Sequence, residues 1–135
     1  LNEIMAVWLQ GNLTAHSFIS PDYWKQNQAA VKAAMREATV YVAQIEQQII
    51  GFAGLQENYL AGIFVATSMQ NRGVGGQLIA RLQQDYQELN LAVYEQNSVA
   101  IKFYLKHGFR SKKRQIDTAT QQLELLMGWC SNKRK

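Results

Sequence analysis

The stretch Gln70-Asn71-Arg72-Gly73-Val74-Gly75-Gly76 follows a strand-like run, Tyr59 to Val65, and opens a helix-like run from Gln77. Glycines at 73, 75 and 76 remove the Cβ atoms that would hold a ligand off the main chain. At a helix start the unpaired N–H groups point outward, so such a turn suits an anion, above all a phosphate. Arg72 adds a fork of charged donors and Gln70 a neutral one. Two other readings compete. A glycine cluster between a strand and a helix also serves as a plain flexible connection. Gly73-Val74-Gly75 could also open a dinucleotide-binding GxGxxG, with Glu95 as the acid. Against the dinucleotide reading, Leu78 holds the third glycine position and the glycines lie well past Val65. A Walker-type loop is excluded because no GK[ST] follows.

Around this stretch the chain reads as one α/β domain. Its 135 residues are 47% hydrophobic and 18% charged, enough for a single core. The boundary is expected at residues 1–129, with 130–135 as a basic tail. The net charge of +4 owes three of its units to Lys133, Arg134 and Lys135, which argues against a nucleic-acid partner. Cys130 is the single cysteine, so no intrachain disulfide forms and a cytoplasmic setting is expected. No apolar run reaches the roughly 20 residues of a membrane span. The chain starts at Leu1 rather than Met, which suggests that a preceding segment is missing.

Ile4, Met5, Trp8 and Leu9 predict a first helix stopped by Gly11. The connection Asn12 to Ile19 is unusual in carrying apolar, hydroxyl and imidazole side chains and could line a pocket, with Phe18 also read as packed against the next helix. Ser20-Pro21-Asp22 is a strong helix start, and Trp24, Val31 and Met35 predict one buried stripe to about Ala38. A hairpin follows: Val40 to Val42, a turn at Glu46 to Gln48, then Ile49 to Leu55. Glu57-Asn58 leads to the strand Tyr59 to Val65, in which Gly62 predicts a bulge or a close backbone approach. Val74, Leu78, Leu82, Tyr86 and Leu89 predict a helix ending near Asn90, followed by a buried strand, Leu91 to Tyr94. A second helix, Ser98 to His107, is stopped by Gly108. Strands near Arg110 to Ile116 and Gln121 to Met127 close the chain.

The glycine stretch is matched later by Asn97-Ser98-Val99-Ala100, Phe103-Tyr104 and Gly108-Phe109. Together they resemble the GCN5-related N-acetyltransferase (GNAT) family, whose signature is [QR]xxGx[GA] after a strand and later an Asn, an Ala, an aromatic-Tyr pair and a Gly-Phe ending. The resemblance spans Leu1 to Met127. It implies the GNAT fold, a central mixed, mostly antiparallel sheet flanked by helices, with the family's first strand missing here. The loop from His16 to Ile19 also resembles that of a bacterial subgroup acting on small molecules or lysines.

The resemblance further implies acetyl-CoA as cosubstrate and no metal. Its pyrophosphate would lie on Arg72 to Gly76 with help from Gln70 and Asn71. Its pantetheine would lie along the main chain of Phe64 and Val65 and against Asn97. Asn97 has a competing role as helix N-cap, and the two roles are compatible. Tyr104 would protonate or stabilise the departing thiolate; the competing reading is a core tyrosine. The acceptor would be a primary amine, on a small molecule or a protein, near His16 and Phe18 and the turn Asp117 to Thr120. A lysine ammonium at pH 7 costs about 4.6 kcal/mol to deprotonate, so help is expected from Glu57, directly or through water, from His16, or from water alone; the competing readings are an exposed turn glutamate and a surface or locally bonded histidine. A homodimer is left open. The rival function is a non-catalytic CoA-binding or regulatory module on the same fold, and a small nucleic-acid-binding protein is the third.

Overall fold

The computed structural model describes residues 2–131. Helices α1 (Asn2–Ala15), α2 (Pro21–Gln26) and α3 (Gln28–Glu37) precede strands β1 (Thr39–Ile45), β2 (Gln48–Gln56) and β3 (Tyr59–Val65). After a short 3-10 turn, Thr67–Met69, come α4 (Val74–Asp85), β4 (Glu88–Tyr94), α5 (Ser98–Lys106), β5 (Arg110–Asp117) and β6 (Gln122–Cys130). The last strand therefore takes in Cys130, and Lys133 to Lys135 of the expected basic tail lie outside the described residues.

Several element boundaries differ from expectation, and three of the differences have a clear local reason. Gly11 does not stop α1. A Cβ there would meet Cδ1 of Phe64 at 3.1 Å, so the glycine marks close packing of α1 on β3, and the helix continues to Ala15. The helix expected from Pro21 to Ala38 breaks at Asn27 (φ −92°, ψ 0°), whose side-chain amide donates to Tyr23 O at 2.6 Å. Such side-chain bonding to the backbone competes with helix continuation. Ser20 caps α2 as expected, accepting from Asp22 N–H at 3.3 Å. Finally, α4 ends at Asp85 and not near Asn90, because Tyr86 turns extended (ψ 148°). Leu89 fits the helical stripe, yet it is fully buried as an inward residue of β4, alternating with Leu91 and Val93.

The strands form one sheet in the order β1-β2-β3-β4-β6-β5. Every neighbouring pair is antiparallel except β3 with β4. On one face α4 and α5 bury Ile79, Leu82, Tyr104 and Phe109 against Ala53, Leu55, Leu60, Leu91 and Val93. On the other, α1 and α2 bury Ile4, Trp8, Ile19 and Trp24 against Phe52. A bulge in β3 adjusts which side chains reach which face. Gly54 pairs with Gly62 but Leu55 pairs with Leu60, so Ala61 is the extra residue. Leu60 and Ile63 then pack into the same core although three residues apart.

Gly62 is needed by its own strand. A Cβ there would sit 2.6 Å from Cε2 of Phe64, whose ring stacks on Phe52 at 5.2 Å between centroids. Gly62→Ala is therefore expected to destabilise the protein by about 1–3 kcal/mol through overpacking, and adding Phe64→Leu to recover much of that loss. Denaturant unfolding of the single and double variants measures both.

Candidate active site

The sheet is two antiparallel halves, β1-β2-β3 and β4-β6-β5, joined by few bonds. Between β3 and β4 only Tyr59–Asn90 and Leu60–Leu91 are in register. Beyond them β3 runs on to Val65 and β4 to Tyr94 as the strands diverge. Phe64 and Val65 are paired with Phe52 and Gly51 of β2 on one side, and their other edge faces the gap. Backbone amides and carbonyls need partners, so this edge suits an extended ligand that carries amides of its own.

The glycine stretch stands where β3 leaves the sheet. Asn71 (φ 65°) and Gly73 (φ 82°) are both left-handed, which turns the chain sharply into α4. The first helical bond runs from Gln77 N–H to Gly73 O at 3.0 Å, and Gly73 supplies no side-chain cap. The N–H groups of Val74, Gly75 and Gly76 are thus left without helical partners at the positive end of a 12-residue helix. Arg72 is exposed beside them. The glycines themselves divide their work differently from expectation. A Cβ on Gly75 would meet the Phe103 ring at 3.4 Å, and one on Gly76 would meet His107 at 3.7 Å. Those two glycines let α4 approach α5, while Gly73 supplies the backbone conformation. Gln70 is also used internally, donating from Nε2 to Val65 O at 3.2 Å and so fastening the loop to the strand end.

Tyr104 projects from α5 into the core formed with α4. Its ring meets Phe103 and Phe109 edge-on at 5.3 and 5.4 Å. Burial pushes the phenol pKa up, so it carries its proton at neutral pH. Its hydroxyl has no hydrogen bond among the described residues. At the head of the same helix, Asn97 caps α5, its Oδ1 accepting from Ala100 N–H at 3.1 Å, and its Nδ2 lies 3.1 Å from His16 Nε2. The other ring nitrogen of His16 lies 2.9 Å from Asn12 Oδ1.

The two candidate bases fare poorly. Glu57 is an exposed turn residue (φ 53°) just before Tyr59, beyond the end at which the β3–β4 gap closes. It lies at the opposite end of β3 from the glycine loop, about 20 Å away at the rise of a strand. His16 has both ring nitrogens engaged, and burial pushes its pKa down to about 4.

The first interhelical loop and the last hairpin meet through a residue that was not singled out in the sequence, Tyr94. Its ring meets His16 at 5.0 Å and Phe18 at 5.7 Å, and its hydroxyl donates to Asp117 Oδ2 at 2.8 Å. Asp117 is further held by Thr120 Oγ1 at 3.0 Å and Ala119 N–H at 3.2 Å. Tyr23 lies close enough to that carboxylate to have its pKa raised by it, after burial. The signal for Tyr94 was available, since strand alternation turns it away from the face of Leu91 and Val93. Among the described residues no group of His, Cys, Asp or Glu is placed to hold a metal.

The description "Acetyltransferase (GNAT) domain" belongs to a family model that matches residues 36–111, from the end of α3 into β5. The chain belongs to the GNAT acetyltransferase family. It is 32% identical over 131 residues to the peptidyl-lysine N-acetyltransferase YiaC of Escherichia coli K12, covering 96% of this chain and 90% of that one. The solution structure of apo-form YjaB from Escherichia coli superposes with a TM-score of 0.84 at 28% identity, covering 96% of this chain and 90% of YjaB. A Bacillus anthracis protein solved in complex with acetyl coenzyme A superposes at 0.63 and 26% identity, covering 70% of this chain and 63% of that one. The GNAT fold is thus the frame of the gap, the loop and Tyr104, and the chain is an N-acetyltransferase.

The burial of His16 also has a measurable consequence. Its folded pKa of about 4 lies below the ordinary 6.5, so the unfolded chain takes up the proton first. The associated stability is present above about pH 6.5 and is lost as pH falls toward 4. His16→Phe should flatten that part of the slope of melting temperature against pH, measured by calorimetry.

Proposed function

We propose that this GNAT enzyme binds acetyl-CoA in the β3–β4 gap and transfers the acetyl group to a lysine side chain of a polypeptide in a ternary complex. The observation that carries the reading is the coincidence of an open backbone edge at Phe64 and Val65 with an uncapped helix N-terminus beyond it. The N–H groups of Val74, Gly75 and Gly76 hold the pyrophosphate, with Arg72 as the nearby cation. Gly73 and Asn71 set the turn, and Gln70 holds it to β3. The pantetheine amides bond to the β3 edge, with Asn97 at the other wall.

The lysine acceptor is taken from the similarity to YiaC, named a peptidyl-lysine N-acetyltransferase. The side chain enters between His16, Phe18, Tyr94 and Asp117, and its neutral amine attacks the thioester carbonyl. The C–N bond forms and the C–S bond breaks. Tyr104 donates a hydrogen bond to the departing thiolate. With Glu57 beyond the closed end of the gap and His16 engaged, the ammonium gives its proton to water. No helix of the described residues is long and apolar enough to cross a membrane, and a cytoplasmic setting fits the single cysteine.

Acetyl-CoA titration followed by turnover on lysine peptides tests the reading, and binding with no turnover on any amine would favour a non-catalytic CoA-binding module. Tyr104→Phe should lower kcat about 10- to 100-fold, the worth of one hydrogen bond to a charged group, with little change in acetyl-CoA affinity. Unchanged kcat would remove Tyr104 from the chemistry. Gly73→Val, whose Cβ would meet no neighbouring atom but whose backbone is strained at φ 82°, should weaken acetyl-CoA binding at least about tenfold while the circular-dichroism spectrum is kept.

A further inference from the structure

The hydrogen bonds around His16 form a chain in which each polar group dictates the orientation of the next. Asn12 Nδ2 donates to Trp8 O at 3.0 Å, which leaves Asn12 Oδ1 as an acceptor. That oxygen lies 2.9 Å from His16 Nδ1, so Nδ1 carries the proton. At the other end Asn97 Oδ1 accepts from Ala100 N–H, which makes Nδ2 the Asn97 atom facing His16. Nδ2 can only donate, so His16 Nε2, 3.1 Å away, accepts. The two ends of the chain agree on a single tautomer, with Nδ1 protonated and the Nε2 lone pair accepting from Asn97. No member is left with a donor facing a donor.

We propose that His16 is a positioning residue: through Asn97 it fixes the head of α5, the helix that carries Tyr104, to α1 on the other face of the sheet. The inference rests on the acetyltransferase reading for its effect on turnover, but the bond itself is independent of it. Asn12 is buried, with 3% of its surface exposed, so the anchor on α1 is firm. The His16 ring is held in place by Trp24, stacked at 5.5 Å, and by the edges of Phe18 and Tyr94. Tyr94 is the one titratable ring among these, and its hydroxyl is turned to Asp117. No charged group faces the imidazole directly, and burial is the cause of its lowered pKa. An imidazolium would present Nε2–H to Asn97 Nδ2–H, two donors face to face, so the link exists only with neutral His16. In this arrangement His16 is not the general base. It sets the angle at which α5 meets the gap, with Asn97 at its head and Tyr104 two turns further on.

Imidazole nitrogen NMR on the wild-type protein at pH 7 should show Nδ1 protonated and Nε2 bare; the opposite tautomer, or a midpoint near the ordinary 6.5, would overturn the proposal. Asn97→Asp keeps an acceptor for Ala100 but places a carboxylate against Nε2, and should raise the His16 midpoint above 6.5. An unmoved midpoint would mean that the two residues do not touch. For positioning, a double-mutant cycle of kcat/KM uses His16→Phe, which keeps the ring packing, and Asn97→Ser, which keeps the cap. Each alone should cost about tenfold, and together no more than the worse of the two. Costs that multiply would show the residues acting independently and sink the positioning role.

Discussion

Everything at the site depends on two strands that cease to pair. β3 is bonded to β2 along its length and β4 to β6 along its length, but to each other they are in register only at Tyr59–Asn90 and Leu60–Leu91. The bulge supplies a cause. Ala61, the extra residue, follows Leu60, the last residue in register with β4, and a bulge bends its strand and sharpens its twist. β3 is therefore steered away from β4 at the point where pairing ends. An unpaired edge in the middle of a sheet is a liability, since its amides and carbonyls seek partners. On the proposed reading that edge is the surface that binds acetyl-CoA.

The divergence also divides the working parts between two sub-sheets. The uncapped start of α4 follows β3 and belongs to one half, whereas Tyr104, on the helix after β4, belongs to the other. A gap open at the sheet needs to be spanned elsewhere, and it is spanned on both faces. On one, α4 lies against α5 through Gly75–Phe103 and Gly76–His107, and Gln83 Nε2 donates to His107 O at 2.7 Å. On the other, His16 of the α1–α2 connection reaches Asn97. Gly75 and Gly76 thus serve helix packing, which explains why glycines are found there although, of the three, only Gly73 has a positive φ.

What could be read in advance was what repeats or punctuates. The β-branched and aromatic residues delimit Tyr59 to Val65 correctly, and the cap and following glycine delimit the helix expected over Ser98 to His107 to within one residue of Ser98–Lys106. Leu89 was misplaced because a residue three beyond Tyr86 fits a helical stripe, while its alternation with Leu91 and Val93 fits a strand equally well. Local patterns could not separate the two. Gly11 was misread for a different cause: a glycine that ends a helix and one that admits a neighbour's ring look alike until Phe64 is placed against it. Tyr104 and Asn97 stand out in the sequence through motif spacing, and their proposed roles rest on that spacing. The His16–Asn97 bond joins residues 81 positions apart and depends on the order of the strands, which no local pattern encodes. Glu57 was named for its place just before the strand that leads to the cofactor loop, and only the register of β3 with β4 shows that the gap closes before reaching it.

The same burial that marks Tyr104 limits what it can do on the proposed reading. A reference phenol has a pKa of about 10 and a thiol about 8.5, and burial raises the phenol further. Full proton transfer from Tyr104 to the departing thiolate is then uphill by more than about 2 kcal/mol. A hydrogen bond costs no such transfer. It strengthens as charge develops on sulfur, and in a site removed from water such a bond is worth more than it is in solution. The thiolate must still gain a proton, and the reaction supplies one: the nitrogen that attacks as a neutral amine becomes an ammonium in the tetrahedral adduct and must shed a proton to become an amide. That proton is far more acidic than the phenol. Tyr104 therefore serves best as a donor that never lets go of its own proton, a role that suits a hydroxyl on a buried ring with no hydrogen bond among the described residues.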